Sequence, residues 1–463
     1  MLIKPIELEI NPDAPFENDA FDRKDVVEAL VTLIGRVAGP YVIAIDAPWG
    51  SGKTTFLRML SACLRKQTHP CLEFNAWETD FADDPLIAFV GELDRLVLDI
   101  SPEEAERNEL WDKTKRTAAS VAKRAVPAAV KIATFGAVDL QGDIEKIIAD
   151  TTGSITSDAV DSYLADKKLI EQFHLQIDEV LSLAGKHGKK TPVVIVVDEL
   201  DRCRPLYAIE LLERIKHIFN VENAVFVLAV DKTQLGISFS AVYGQGFNSN
   251  EYLRRFFDLE LKLAAIDSDK FCVALINRMS LGVFLVPRSK NVNFQSEIAH
   301  LKLAFRGVSK ILGLTPRAQE NLMSLIATAM ITTEESQFFS PQVTTLLAGT
   351  KVAGLPIFQR VAREGASIVE LIEFIDQKVV EVGNLPERFV ELMIGCLLAV
   401  ANDKRSREYL GDISKQAQET EQKFDMERDF HLIVGIAHEV QHKTASLKTI
   451  IKRIDLAAQF VQD

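Results

Sequence analysis

Ala47-Pro48-Trp49-Gly50-Ser51-Gly52-Lys53-Thr54-Thr55 follows the apolar run Tyr41-Val42-Ile43-Ala44-Ile45-Asp46 and precedes Phe56-Leu57-Arg58-Met59-Leu60. Strand, glycine loop and helix in that order are the context in which a G-x-x-x-x-G-K-[ST] pattern becomes a phosphate-binding loop. The residue types fit that chemistry. Gly50 and Gly52 let successive backbone N–H groups turn inward around a polyphosphate, and the following helix offers its positive N-terminal end. In such a loop Lys53 reaches the β- and γ-phosphates and the Thr54 hydroxyl ligates Mg²⁺. Trp49, Gly50, Ser51, Gly52, Lys53, Thr54 and Thr55 form the candidate nucleotide-binding set. Ala47 stands where the pattern has its first glycine, which is tolerable if φ there is negative. The plainer alternative is an ordinary turn between strand and helix. The strand before it and the Lys-Thr after it weigh against that.

Four further strands are expected. Cys71–Asn75 is short and partly alternating, while Val193–Val197 and Ala224–Val230 are continuous apolar runs ending at Asp198 and Asp231. Continuous apolar runs belong to central parallel strands buried on both faces. Leu259-Glu260-Leu261-Lys262-Leu263 alternates, as an edge strand does. Helical periodicity separates these segments, for example over Ile209–Lys216, so the pattern predicts a parallel α/β sheet with ligands at the C-terminal strand ends. The roughly 115 residues between the second and third strands read as a helical insertion, being too long for a loop. Residues 266–463 read as helices, with breaks near Pro287, Gly313–Pro316, Gly354–Pro356 and Asn384–Pro386. The expected division is residues 1–95 and 191–265 for the two halves of the sheet domain, 96–190 for the insertion, and 266–463 for a helical lid and interaction region.

Asp198 sits where its strand meets Glu199-Leu200-Asp201-Arg202. A strand-end aspartate of this kind holds the magnesium shell of a phosphate-loop enzyme, and the adjacent Glu199 is placed to polarise an attacking water. That pairing favours hydrolysis over passive binding. Asp231 is either a contact to the γ-phosphate or water, or the N-cap of the helix that follows it.

The blocks Pro48–Thr54, Phe74-Asn75-Ala76-Trp77-Glu78 and Val197-Asp198-Glu199-Leu200-Asp201-Arg202-Cys203 together resemble the KAP family of P-loop NTPases. Further similarity lies in the strand ending at Asp231, in Glu251–Phe257, and in Asp19-Ala20-Phe21-Asp22-Arg23 upstream of the first strand. The resemblance covers residues 15 to 265 in pieces. It implies the additional-strand P-loop class, with one strand inserted between the two nucleotide-motif strands and a catalytic acid beside the strand-end aspartate. It also implies ATP as the nucleotide, and no guanine-reading N-K-x-D motif is present. Many members carry membrane helices between these motifs, and bacterial members are often linked to exclusion of phage. Arg254 and Arg255 are candidates for a charge on the transferring phosphoryl group, in cis or from a neighbouring subunit, against a solvated or carboxylate-paired helix face. Arg317 resembles the lid arginine of related ATPases. Trp49 and Trp77 can pack on the loop or the nucleotide, but burial as structural aromatics is the preferred reading for both.

Composition narrows the setting. The chain has 463 residues, 66 acidic and 53 basic, for a net charge of −13, so no overall basic footprint points to nucleic acid. The five cysteines are scattered and never in a C-x-x-C pair, which fits reduced thiols in a cytoplasmic protein. Met1–Glu7 carries no export pattern. The most membrane-like segment, Ala125–Val138, includes Pro127 and Lys131 and falls short of the roughly 20 apolar residues that a span needs. It reads as a helix packed on its own protein. His438-Glu439-Val440-Gln441-His442 matches the zinc-protease pattern H-E-x-x-H. It lacks a third ligand nearby and is read as an exposed polar helix face. The expected protein is a cytoplasmic ATPase acting as a conformational or assembly switch, partnered by copies of itself or by a protein effector. A nucleotide-stabilised scaffold is the alternative.

Overall fold

A computed structural model describes residues 9–37, 39–101, 104–135, 157–264, 267–291, 295–334, 337–383, 385–401, 403–420, 429–441 and 443–460. They divide into two compact units, one over Glu9–Ala264 and one holding the helices from Ser268 onward.

The first unit is built on β1 (Tyr41–Asp46), β2 (Cys71–Asn75), β3 (Val193–Asp198), β4 (Ala224–Val230) and β5 (Leu259–Lys262). All are parallel, in the order β2-β3-β4-β1-β5. β4 is the additional strand that the resemblance implied: it separates β3, which ends at Asp198, from β1, which feeds the glycine loop. β5 is the edge strand its alternation predicted.

The two faces follow from the period of two along a strand. Ile43, Ile45, Val194, Val196, Val225 and Val227 point to a core filled by Val27, Leu30 and Ile34 of helix Lys24–Ile34 and by Phe56, Leu60 and Leu64 of helix Lys53–Lys66. Their neighbours Val42, Ala44, Val193, Ile195, Val197, Phe226 and Leu228 join the opposite core. Helices Pro85–Ile100, Pro205–His217 and Lys232–Tyr243 cover that side.

The inserted region contributes two long helices, Glu104–Phe135 and Ser157–Lys186. Trp111, Ala118, Val121, Phe173, Ile177 and Val180 from them share the sheet's own core. The insertion is therefore not a separate body at its base, and residue 96, where its start was expected, falls inside helix Pro85–Ile100. The Ala125–Val138 segment is helical through Phe135, and its last three residues lie outside the described ones. Among the described residues, no single helix is long and apolar enough to cross a membrane.

The second unit is helical, as its pattern predicted. Pro316, Pro341 and Pro356 each occupy the start of a helix, where the missing N–H costs nothing. Pro287 differs from the break expected there: it lies within helix Gly282–Ser289, close to its end. Helix Pro341–Val352 is buried along almost its whole length, which marks it as the centre of this unit.

At the heart of the sheet unit, Phe89 is fully buried, with ring centroids 4.4 Å from Phe219 and 5.3 Å from Phe74. Phe89→Ala should lower the unfolding free energy of this unit by about 3–5 kcal/mol. The check is a chemical-denaturation midpoint compared with that of the wild type.

Candidate nucleotide-binding site

The loop between β1 and helix Lys53–Lys66 begins pinned: the Ala47 N–H donates to the Val230 carbonyl of β4 at 3.0 Å. Gly50 has φ +78° and Gly52 φ +81°, conformations that L side chains rarely adopt, so both glycines are required by geometry. A Cβ on Gly52 would come within 2.9 Å of Phe21 Cε2. Phe21 is held there by its own turn, in which Asp19 accepts from the N–H groups of Phe21 (3.2 Å), Arg23 (2.6 Å) and Lys24 (2.9 Å). The Asp19–Arg23 segment thus forms a wall of the loop.

The helix that follows has no side-chain cap, so the N–H groups of its first turn are left for a ligand. Ser51 Oγ is buried and has no hydrogen-bond partner among the described residues. An orphaned donor beside an uncapped helix start is what a polyphosphate would satisfy, so the residues fit that group. Thr54 and Thr55 are half-buried in the first turn.

Lys53 is buried. Its Nζ donates to the Ala47 carbonyl at 2.7 Å and pairs with Asp201 Oδ2 at 3.2 Å. Trp49 Nε1 donates to the same oxygen at 2.8 Å. This corrects the expectation of two buried tryptophans: Trp49 is 45% exposed and Trp77 is 52% exposed. The indole of Trp49 reaches its acceptor from the rim, and the ring of Trp77 lies 5.6 Å from the Arg202 guanidinium, an arrangement open to water.

β3 delivers the acidic end. Asp198 Oδ1 accepts from the Glu199 N–H at 2.8 Å, and Asn75 of β2 is its register partner. Glu199 itself takes a left-handed conformation, φ +60°, and its carboxylate pairs with Arg202 at 2.7 Å. A left-handed conformation at a non-glycine residue stores backbone strain of about 1–3 kcal/mol. Beneath it, Cys203 Sγ donates to the Glu199 carbonyl at 3.6 Å, and Tyr207 OH is 3.0 Å from Thr79 Oγ1. Burial pushes the Cys203 thiol up to about 12, helped by the charges of Asp80, Asp201 and Glu199. Burial likewise takes Tyr207 to about 12. Arg204 is bound to Asp80 through its side chain and through its N–H at 2.7 Å, fixing the turn after β3 to the segment after β2.

The remaining candidates fall at different places. Asp231 is the N-cap of helix Lys232–Tyr243, accepting from Thr233 N (3.1 Å) and Gln234 N (3.2 Å), so the helix-cap alternative is realised. Arg254 is exposed at the end of helix Ser249–Leu253, and the Arg255 guanidinium lies 5.9 Å from the Tyr252 ring centroid. Arg317 is exposed in the first turn of helix Pro316–Ile331 of the second unit. His438 and Glu439 are exposed on helix Phe430–Gln441, and Glu439 pairs with Lys443 at 3.3 Å. His442 lies outside the described residues, and among those described no cluster of three metal-ligating side chains exists.

Two contributors were not assigned from the sequence. Phe21 carries no chemical signature, although Asp19 four residues before Arg23 is a turn signal. Asp201 was visible only as one more acid in Asp198-Glu199-Leu200-Asp201.

A glycine loop after one strand, an acidic pair after another, and a third strand between them define a P-loop NTPase of the additional-strand class. The chain matches the KAP family P-loop domain over residues 23–279, more than half its length, and belongs to that family. No curated protein matches it significantly. Among solved structures it is similar to the ORC2 protein of Aeropyrum pernix, described in ADPNP–ADP complexes, at 13% identity and TM-score 0.36, covering 91% of this chain and 95% of that one. It is also similar to Cdc6p of Pyrobaculum aerophilum, at 13% identity and TM-score 0.36, covering 95% of this chain and 86% of that one. PCH-2 of C. elegans follows at 12% identity and TM-score 0.33, covering 74% and 70%. Superpositions this loose add nothing to the site.

Two outcomes follow from the loop and the turn after β3. Gly52→Ala forces a left-handed alanine, at about 1–2 kcal/mol, against Phe21. It should weaken binding of a slowly hydrolysed ATP analogue at least tenfold in calorimetry, with the far-UV spectrum unchanged. A thiol at about 12 is protonated at pH 8, with a thiolate fraction of about one in 10⁴. Cys203 should therefore resist iodoacetamide at pH 8 over a period that labels the denatured chain fully, as read by peptide mass spectrometry.

Proposed function

We propose that this chain binds ATP with Mg²⁺ on the loop Trp49–Thr55 and hydrolyses the β–γ phosphoanhydride bond, using the cycle to switch a conformation or an assembly. The observation that carries the reading is the buried, unpartnered Ser51 Oγ beside an uncapped helix start and a buried Lys53. Lys53 would hold the β- and γ-phosphates. Thr54 and Asp198 would hold Mg²⁺, which supplies neutralisation of phosphate charge and needs few protein ligands. Glu199 would take the proton of a water that attacks the γ-phosphorus as the bond to the bridging oxygen breaks, leaving ADP and inorganic phosphate. One Glu199 oxygen is paired with Arg202 at 2.7 Å, which leaves the other for the water.

Arg254, Arg255 and Arg317 are exposed and so available to supply a charge in cis or from a second copy. Asp231 spends one oxygen on its helix cap and would offer the other to the γ-phosphate or the attacking water. The sheet domain, with the insertion packed on its core, would carry catalysis, and the helical region 266–463 would carry partner binding. A cytoplasmic protein that assembles with itself or with an effector, acting against phage, is the setting the family resemblance supports.

Glu199→Gln should keep analogue affinity within about threefold while turnover falls by 10²-fold or more. Mass measurement of both proteins with and without the analogue tests the assembly. Unchanged turnover in the variant would remove Glu199 from its role. Negligible turnover in the wild type, with a nucleotide-dependent mass, would instead make the protein a nucleotide-stabilised scaffold.

A further inference from the structure

The geometry points to Asp201 as a counter-ion latch on Lys53, a positioning residue that competes with a nucleoside polyphosphate for the lysine's ammonium group. This rests on the reading that the glycine loop takes such a ligand. One oxygen of Asp201 is shared between Lys53 Nζ at 3.2 Å and Trp49 Nε1 at 2.8 Å. Both charged groups are withdrawn from water, with side-chain exposures of 9% for Lys53 and 2% for Asp201. A buried ammonium group requires a partner, and here Asp201 and the Ala47 carbonyl supply it.

A polyphosphate on the loop is a second claimant for the same ammonium. It also brings negative charge toward a carboxylate that has little water to screen it, and the two like charges repel. Asp201 therefore holds the loop assembled and, by the same contact, raises the cost of seating the phosphates.

The latch spans the sheet. Trp49 lies in the loop after β1 and Lys53 starts the helix that follows it, whereas Asp201 belongs to the short 3₁₀ turn Leu200–Arg202 after β3. The same turn carries Arg202, the partner of Glu199. Exchange of Lys53 from carboxylate to phosphate alters the charge balance of the turn that restrains the candidate base.

The test compares wild type with Asp201→Asn in two measurements, both required. In calorimetry with Mg²⁺ and a slowly hydrolysed ATP analogue, Asp201→Asn should bind about tenfold tighter; equal or weaker binding overturns the latch. Without nucleotide, acetylation of Lys53 by an N-hydroxysuccinimide ester, read by peptide mass spectrometry, should be several-fold faster in Asp201→Asn; an equal rate overturns it. A merely structural Asp201 would weaken binding rather than tighten it. If the wild type fails to bind the analogue, the ATP reading falls and the acetylation rates alone decide the latch. If Asp201→Asn does not fold, Trp49→Phe decides, because it leaves the carboxylate oxygen to Lys53 alone. Slower acetylation of Lys53 than in wild type supports the latch, and an equal or faster rate overturns it.

Discussion

The parallel ladder β3-β4-β1 is the constraint on which the rest of this protein depends. Both faces of these strands are buried, so their main-chain groups must be paired within the sheet and their side chains divided between two cores. That leaves the chain free to do chemistry only where the strands end. The Ala47 N–H on the Val230 carbonyl and the Lys232 N–H on Asp46 Oδ1, at 3.0 and 3.1 Å, stitch the ends of β1 and β4 together. The glycine loop emerges from that stitched edge and cannot drift from the acids of β3.

Within this frame the loop's problem is electrostatic. An ammonium group near the strand ends is expensive to bury and useless if left in water. Asp201 resolves the first difficulty, and the uncapped start of helix Lys53–Lys66 leaves room for a ligand that resolves the second. The pairing of Glu199 with Arg202 repeats the arrangement on the acidic side. Lys53 and Glu199 thus each have a resident partner on the turn Leu200–Arg202. That turn is fastened in its own right through Arg204 to Asp80.

Much of this was legible in the chain itself. The loop Ala47–Thr55 could be read because its meaning is local: strand, glycines, lysine and helix are contiguous, and the absence of a Cβ permits the positive φ of Gly50 and Gly52. The runs Val193–Val197 and Ala224–Val230 could be read because burial on both faces leaves no polar position. What failed to show has a common cause. Trp49 and Trp77 were expected inside, yet their surroundings are set by Asp201 and Arg202, which lie far along the chain. The insertion could be read as helical, but helical spacing does not say against which surface its apolar residues pack.

The amino-acid sequence by itself therefore determined the strand–loop–helix of the phosphate site, the acidic pair after β3, the helical second half and the family, since each is encoded in contiguous residues whose local physics is self-sufficient. Only the tertiary structure decided that Lys53 and Asp201, 148 positions apart, share a buried ion pair, and that Phe21 walls the loop at Gly52. The reason is burial. Desolvation gives a charge or a ring its energetic meaning, and burial is a property of where the chain returns rather than of any stretch of it.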